Sequence, residues 1–225
     1  MKKNITFILL FLSISVFSQT KIIKTLGDFT TLKVYNGIEV ELIKSDKQEA
    51  VITGEKSKKV NIKNTRNILK ISLKFPEGLA NGKVKIVLYY NKNINIIDAN
   101  EGALITAKEF TQQQAEIKTQ EGAFINMVIE VKHLTLKAIT GGIIKLSGTT
   151  KNQNVEVNNK GVYHGFNLTA SNATIIRSAL GGKGEVNVGE TLDAKVSFGG
   201  TIFYKGTPEV LKTKKVLGGT IEAKN

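Results

Sequence analysis

Short stretches of alternating character run through most of the chain. Val84, Ile86 and Leu88 are interleaved with Lys85, Val87 and Tyr89, and Leu134 and Leu136 flank Thr135. Val155 and Val157 flank Glu156, and Val186 and Val188 flank Asn187. Period-two alternation in stretches rich in β-branched residues predicts strands, each with one face toward a core. No helical period is sustained after residue 18, so no long helix is predicted.

Glycines punctuate these strands at an even interval. Gly82, Gly102, Gly122, Gly142, Gly161, Gly182, Gly200 and Gly219 are separated by 20, 20, 20, 19, 21, 18 and 19 residues. Two positions after them stand Val84, Leu104, Phe124, Ile144, Tyr163, Gly184, Ile202 and Ile221. All but Gly184 are apolar or aromatic, which predicts one stacked core column per repeat. A repeat of that length, built of strand and turn alone, fits one coil of an all-β solenoid. Two such units could also make one blade of a propeller, the competing repeat fold.

The N-terminal third, residues 19–80, keeps a looser rhythm than the repeats over 81–225. Asn36-Gly37 lies between two strand-like stretches in TTLKVYNGIEVELIK, which predicts a hairpin turn there. Gly54, the lysine-rich 56–59 and Phe75-Pro76-Glu77-Gly78 divide the remainder of this third. It is expected to form longer strands and hairpins that cover the first edge of the stack. Residues 19–225 are thus expected to be a single domain.

Residues 1–18, MKKNITFILLFLSISVFS, join two lysines, an apolar run and a small-residue site before Gln19. That order predicts a cleaved signal peptide, because the run is shorter than the ~20 residues of a spanning helix. The mature protein is therefore expected outside the cytoplasm: periplasmic, associated with the outer membrane, or extracellular. No transmembrane segment is expected after signal removal.

Charge adds a second layer. The formal net charge is +13, carried by thirty lysines and two arginines, Arg66 and Arg177. Nucleic-acid sites favour the bidentate arginine fork, so no nucleic-acid partner is expected. Lysines along the whole chain instead serve to keep strand edges soluble. Lys212, Lys214, Lys215 and Lys224 crowd the last repeat, and a monomer or weak closed oligomer is expected.

The residues for catalysis are sparse. Without cysteine there is no disulfide, thiolate metal site or thiol nucleophile. With only His133 and His164, no metal centre and no cofactor is expected, and His164 has no carboxylate two to four residues away. Asp98 and Asp193 are expected on different sides, about five coils or 24 Å apart at ~4.8 Å per coil. Glu101 and Glu121 each precede a repeat glycine, and stacking would bring them to about 5 Å, the spacing of a retaining glycosidase pair. Exposed turn carboxylates relieved by lysine are the plainer reading, so no catalytic residue is assigned. Tyr89, Tyr90, Tyr163, Phe166, Phe198, Phe203 and Tyr204 are candidates for a sugar-stacking platform, although most rings in a solenoid belong to the core.

The leader is followed by F-x-x-L-K-V-Y-N-G-I-E-V-E-L at 29–42 and V-x-I-V-L at 84–88. Glycine-ended strands come next, then G-G-T-I-F-Y-K-G-T-P at 199–208 and L-G-G-T-I at 217–221. This order resembles the putative auto-transporter adhesin, head GIN domain family of exported Bacteroidetes-type proteins. The resemblance implies a right-handed parallel β-helix and an adhesin-like, cell-envelope binding role, with cell-surface glycans or other envelope components as partners. It carries no catalytic or binding residues to transfer. A non-enzymatic exported solenoid is therefore expected, and the alternative is a polysaccharide hydrolase or lyase on the same scaffold.

Overall fold

The computed structural model describes residues 21–75 and 83–224. The leader expected over 1–18, the break at Pro76–Gly78 and the first repeat glycine, Gly82, lie outside them. Four long strands, β9 (Leu104–Thr119), β10 (Phe124–Ala138), β11 (Ile143–Val157) and β12 (Val162–Ala179), stack in parallel as successive coils. The coils then continue as split pairs: β13 (Lys183–Val188) with β14 (Thr191–Ser197), and β15 (Thr201–Lys205) with β16 (Val210–Val216). A last strand, β17 (Thr220–Ala223), adds to β15. The chain is a β-solenoid of about 7 turns.

Each coil has two halves that meet at a bend, marked by register shifts such as those at Met127/Ile129 and Gly165/Thr169. Residues of alternate parity from both halves fill the space between them. Ile105, Ile125, Ile144, Tyr163 and Ile202 come from the first halves, and Ile97, Ile117, Leu136, Val155 and Ile176 from the second; all are fully buried. Coil stacking satisfies the backbone polar groups between neighbouring coils, leaving unpaired edges only at the two ends.

The coils are joined at a tight turn whose two central residues have positive φ: Glu101-Gly102, Glu121-Gly122, Thr140-Gly141, Asn159-Lys160, Leu180-Gly181, Phe198-Gly199 and Leu217-Gly218. Gly142 N–H donates to Ile139 O and Gly182 N–H to Ala179 O, closing the turns. Gly102 N–H donates to Glu121 O at 3.0 Å, tying one turn to the next.

This geometry displaces the predicted column by one residue at Leu104 and Phe124, whereas Val84, Ile144, Tyr163, Gly184 and Ile202 point inward as predicted. Pairing runs Leu104, Phe124, Ile143, Val162, Lys183, Thr201 and Thr220, so steps of 20, 19, 19, 21, 18 and 19 residues apply. Gly102 and Gly122 therefore hold the second central turn position, whereas Gly142, Gly161, Gly182 and Gly200 stand one residue later. At that later position a Cβ would strike the coil before: one built on Gly161 would lie 1.9 Å from Ala138 O. Leu104 and Phe124 consequently point outward and are half-buried, while Ile105 and Ile125 point in.

The N-terminal third differs from expectation in its strands. β2 (Thr31–Val34) and β3 (Glu39–Lys44) flank the Asn36-Gly37 turn but do not pair with each other. They join the stack in parallel, β2 on β8 (Ile96–Ala99) and β3 on both β9 and β7 (Lys85–Tyr90). The Asn-Gly turn is a solenoid corner, because its flanking strands find partners in the next coil. The hairpin is at Arg66-Asn67 instead, between β5 (Val60–Thr65) and β6 (Ile68–Leu73), with β6 paired to β2. β4 (Glu49–Thr53) runs antiparallel to β7, and β1 (Ile22–Thr25) antiparallel to β4. This third thus covers the first edge, with strands of four to six residues; the longer strands are those of the repeats, where both halves run through the bend.

Candidate binding surface

The outer face of the second halves carries a row of charge, one residue per coil: Asp98, Lys118, Lys137, Glu156, Arg177, Lys195 and Lys214. The next outward row holds Glu116, Thr135, Asn154, Ile175 and Asp193. Asp98 and Asp193 therefore share one face, in neighbouring rows, and are not on different sides. Alternation fixes this, since both point away from the core on second-half strands.

Ion pairs quench part of the row. Glu116 binds Lys118 at 3.0 Å and Lys137 at 3.6 Å. Arg177 grips Asp193 with two 3.0 Å hydrogen bonds, from Nη1 to Oδ1 and from Nη2 to Oδ2. Lys195 and Lys214 have no carboxylate within ion-pair distance among the described residues. A groove of about 320 Å³ opens here, lined by Lys137, Asn154, Glu156, Arg177, Lys195 and Ser197. Of the cations in this lining, Lys195 is the one without an ion-pair partner among the described residues, and the Glu156 carboxylate stands beside amide and hydroxyl side chains.

Glu101 and Glu121 lie where stacking predicts, at the exposed turns of adjacent coils. Asn36 Nδ2 donates to Glu101 Oε2 at 2.5 Å, and the same side chain accepts from Leu73 N–H through Oδ1. Both carboxylates face solvent.

The histidines find partners one coil away. His164 Nδ1 is 2.9 Å from Glu185 Oε2, and Lys183 Nζ is 2.8 Å from Glu185 Oε1. Burial would raise the Glu185 carboxyl, but the hydrogen bonds and charges of Lys183 and His164 outweigh it and hold the group below its ordinary value. His133 Nδ1 is 3.2 Å from Asn152 Nδ2. Sequence neighbours gave no sign of the His164–Glu185 pair; their separation of 21 residues, one coil, was the available signal.

The aromatic residues do not gather into a platform. Tyr90 and Tyr163 are buried, and Tyr204 packs partly against the core. Lys205 covers Phe166, and Lys183 and Lys224 cover Phe203. Phe198 stands exposed, in a turn. No three potential ligating side chains gather as a metal site among the described residues, and no helix there is long and apolar enough to cross a membrane.

Solved structures share the fold. A putative adhesin from Bacteroides fragilis superposes with a TM-score of 0.80 at 19% identity, covering 92% of this chain and 97% of that one. A putative adhesin from Parabacteroides distasonis gives 0.71 at 22% identity, with coverage of 92% and 97%. A protein described as a putative lipid binding protein, from the same species, gives 0.67 at 18% identity and the same coverage. No curated protein matches the chain. The family description matches residues 28–208, from just before β2 to the bend between β15 and β16, and the chain belongs to the putative auto-transporter adhesin, head GIN domain family.

Proposed function

We propose that this protein is an exported, non-enzymatic solenoid that binds acidic glycans or other polyanionic components of the cell envelope. The groove beside Lys195 carries the reading: it offers one lysine with no ion-pair partner among the described residues, beside Arg177 and next to amide and hydroxyl groups, along a rigid face. Family membership supports an adhesin-like role at a surface. Glycan arrays and envelope fractions test it. Binding should exceed that of an unrelated basic protein at physiological salt and fall when Lys195 and Arg177 become alanine. Equal binding by the variant would remove the groove from the reading. Protease shaving of intact cells distinguishes a surface location from a periplasmic one.

A second reading is favoured by one observation, the adjacency of the Glu101 and Glu121 turns. It makes the protein a carbohydrate-active enzyme. Turnover of a polysaccharide library that vanishes in Glu121→Gln would support it, and turnover unchanged in that variant would remove these residues from it.

A further inference from the structure

The first central position of the corner turn changes character along the solenoid. In the earlier coils it holds Asn36, Glu101, Glu121, Thr140 and Asn159. In the last three it holds Leu180, Phe198 and Leu217, which are 52%, 55% and 72% exposed. Their φ values are +48°, +48° and +54°. That region suits glycine and asparagine and disfavours bulky side chains. Three consecutive coils therefore carry large apolar residues where both the backbone conformation and the solvent argue against them. Folding does not need them there, since Asn159 occupies the same position one coil earlier.

Coils stack about 4.8 Å apart, so the three side chains form a ridge roughly 10 Å long on a convex corner. Cations flank it. Lys195 and Lys214 stand three residues before Phe198 and Leu217 on the outer face, and Arg177 three before Leu180. Lys160 is in the adjoining turn, its side chain directed over Gly181. An apolar ridge on a rigid corner, flanked by lysine, has the chemistry of an interfacial membrane contact. A second copy is a poorer occupant. Isologous pairing across the ridge would bring Lys195, Lys214 and Lys160 against their own counterparts, in a chain of net charge +13.

We propose that the Leu180–Phe198–Leu217 ridge docks the protein onto a bilayer surface rich in anionic phospholipid. The side chains enter the headgroup region while the flanking lysines meet phosphate. The proposal rests on the reading that the protein works at the envelope, and names the bilayer itself as one component bound.

Sedimentation with vesicles of phosphatidylcholine alone, and of an equal mixture with phosphatidylglycerol, tests it. The protein should bind the mixed vesicles, and high salt should weaken the binding. Replacing all three residues by asparagine should reduce affinity by about tenfold or more. The same replacement should leave the melting temperature unchanged or higher, because asparagine accepts the left-handed conformation. Val128→Asn, exposed on another face, should bind as the wild type does. Leu217→Asn alone gives the same direction should the triple variant misfold. The chain has no tryptophan, so Phe198→Trp supplies a single reporter whose emission should shift to the blue on mixed vesicles.

Unchanged vesicle binding by the asparagine variants would overturn the proposal, as would an unshifted Phe198→Trp emission. A wild type that ignores vesicles but forms a dimer abolished by the triple variant would assign the ridge to a second copy, and overturn it too. Glycan binding is measured on the same variants. Its absence beside intact vesicle binding removes the groove reading and leaves the ridge standing.

Discussion

Gly184 and Ile176 face each other across the core: a Cβ built on Gly184 would lie 2.5 Å from Ile176 Cδ1. The isoleucine, from the second half of the preceding coil, fills the volume that the glycine leaves. Tyr163 holds the same inward position as Gly184 one coil earlier and is fully buried. The one gap in the apolar column is thus a packing solution, with a large residue, a small one and an isoleucine from across the core sharing the volume.

The two kinds of repeat glycine should respond differently to alanine. At Gly184 the new methyl meets the tip of a flexible side chain, and Gly184→Ala should cost about 1–3 kcal/mol. At Gly161 it meets the Ala138 carbonyl at 1.9 Å, with rigid backbone on both sides. Gly161→Ala should be the more damaging by urea denaturation, and a reversed order would contradict the stacking described.

A buried polar chain crosses the core. Tyr163 Oη donates to Gln153 Oε1 at 3.1 Å, and Gln153 Nε2 donates to Thr174 Oγ1 at 3.1 Å. Tyr163→Phe leaves the Gln153 acceptor without its donor and should cost about 1–3 kcal/mol. Adding Gln153→Met should cost less than the sum of the single changes, because the unsatisfied group goes with it. Strict additivity in the double-mutant cycle would show that the hydrogen bond contributes nothing.

Alkali should loosen the fold. Burial, helped by the Glu109 carboxylate, pushes Tyr90 up to about 12, and burial raises Tyr163 also. An unfolded tyrosine ionises near pH 10, so the unfolded state releases protons first. Stability is therefore full below pH 10 and falls as pH rises toward 12, by about 1.4 kcal/mol per pH unit for each such phenol. Denaturant midpoints followed across this range should show the slope, and Tyr90→Phe should lessen it by one tyrosine's share.

The C-terminal edge is guarded by charge. β16 is an edge strand bearing Lys212, Lys214 and Lys215, and Lys215 takes the inward position beneath Val196. A charge at an inward edge position disfavours addition of another strand. Lys215→Val should promote open-ended association once salt screens Lys212 and Lys214, seen as scattering that grows with concentration. The wild type should show no such growth at low salt.

Periodicity made the architecture legible in the chain alone. Alternation marked the strands, and glycines 18 to 21 residues apart marked the corners, because a solenoid writes its tertiary contacts as a repeat. The lysine-rich edge was legible for the same reason. Register within the coil was not. Glycine serves two purposes at neighbouring positions, positive φ at Gly122 and close approach at Gly142, so its spacing alone misassigned Leu104 and Phe124 to the core. The Asn36-Gly37 dipeptide specified a turn, but not whether the strands leaving it pair together or with the next coil. His164 and Glu185, and Arg177 and Asp193, meet only because coil length and bulges bring them level. Tertiary structure decided those contacts, and it also aligned Leu180, Phe198 and Leu217. They are 18 and 19 residues apart in the chain, and only stacking turns three isolated apolar residues into a surface.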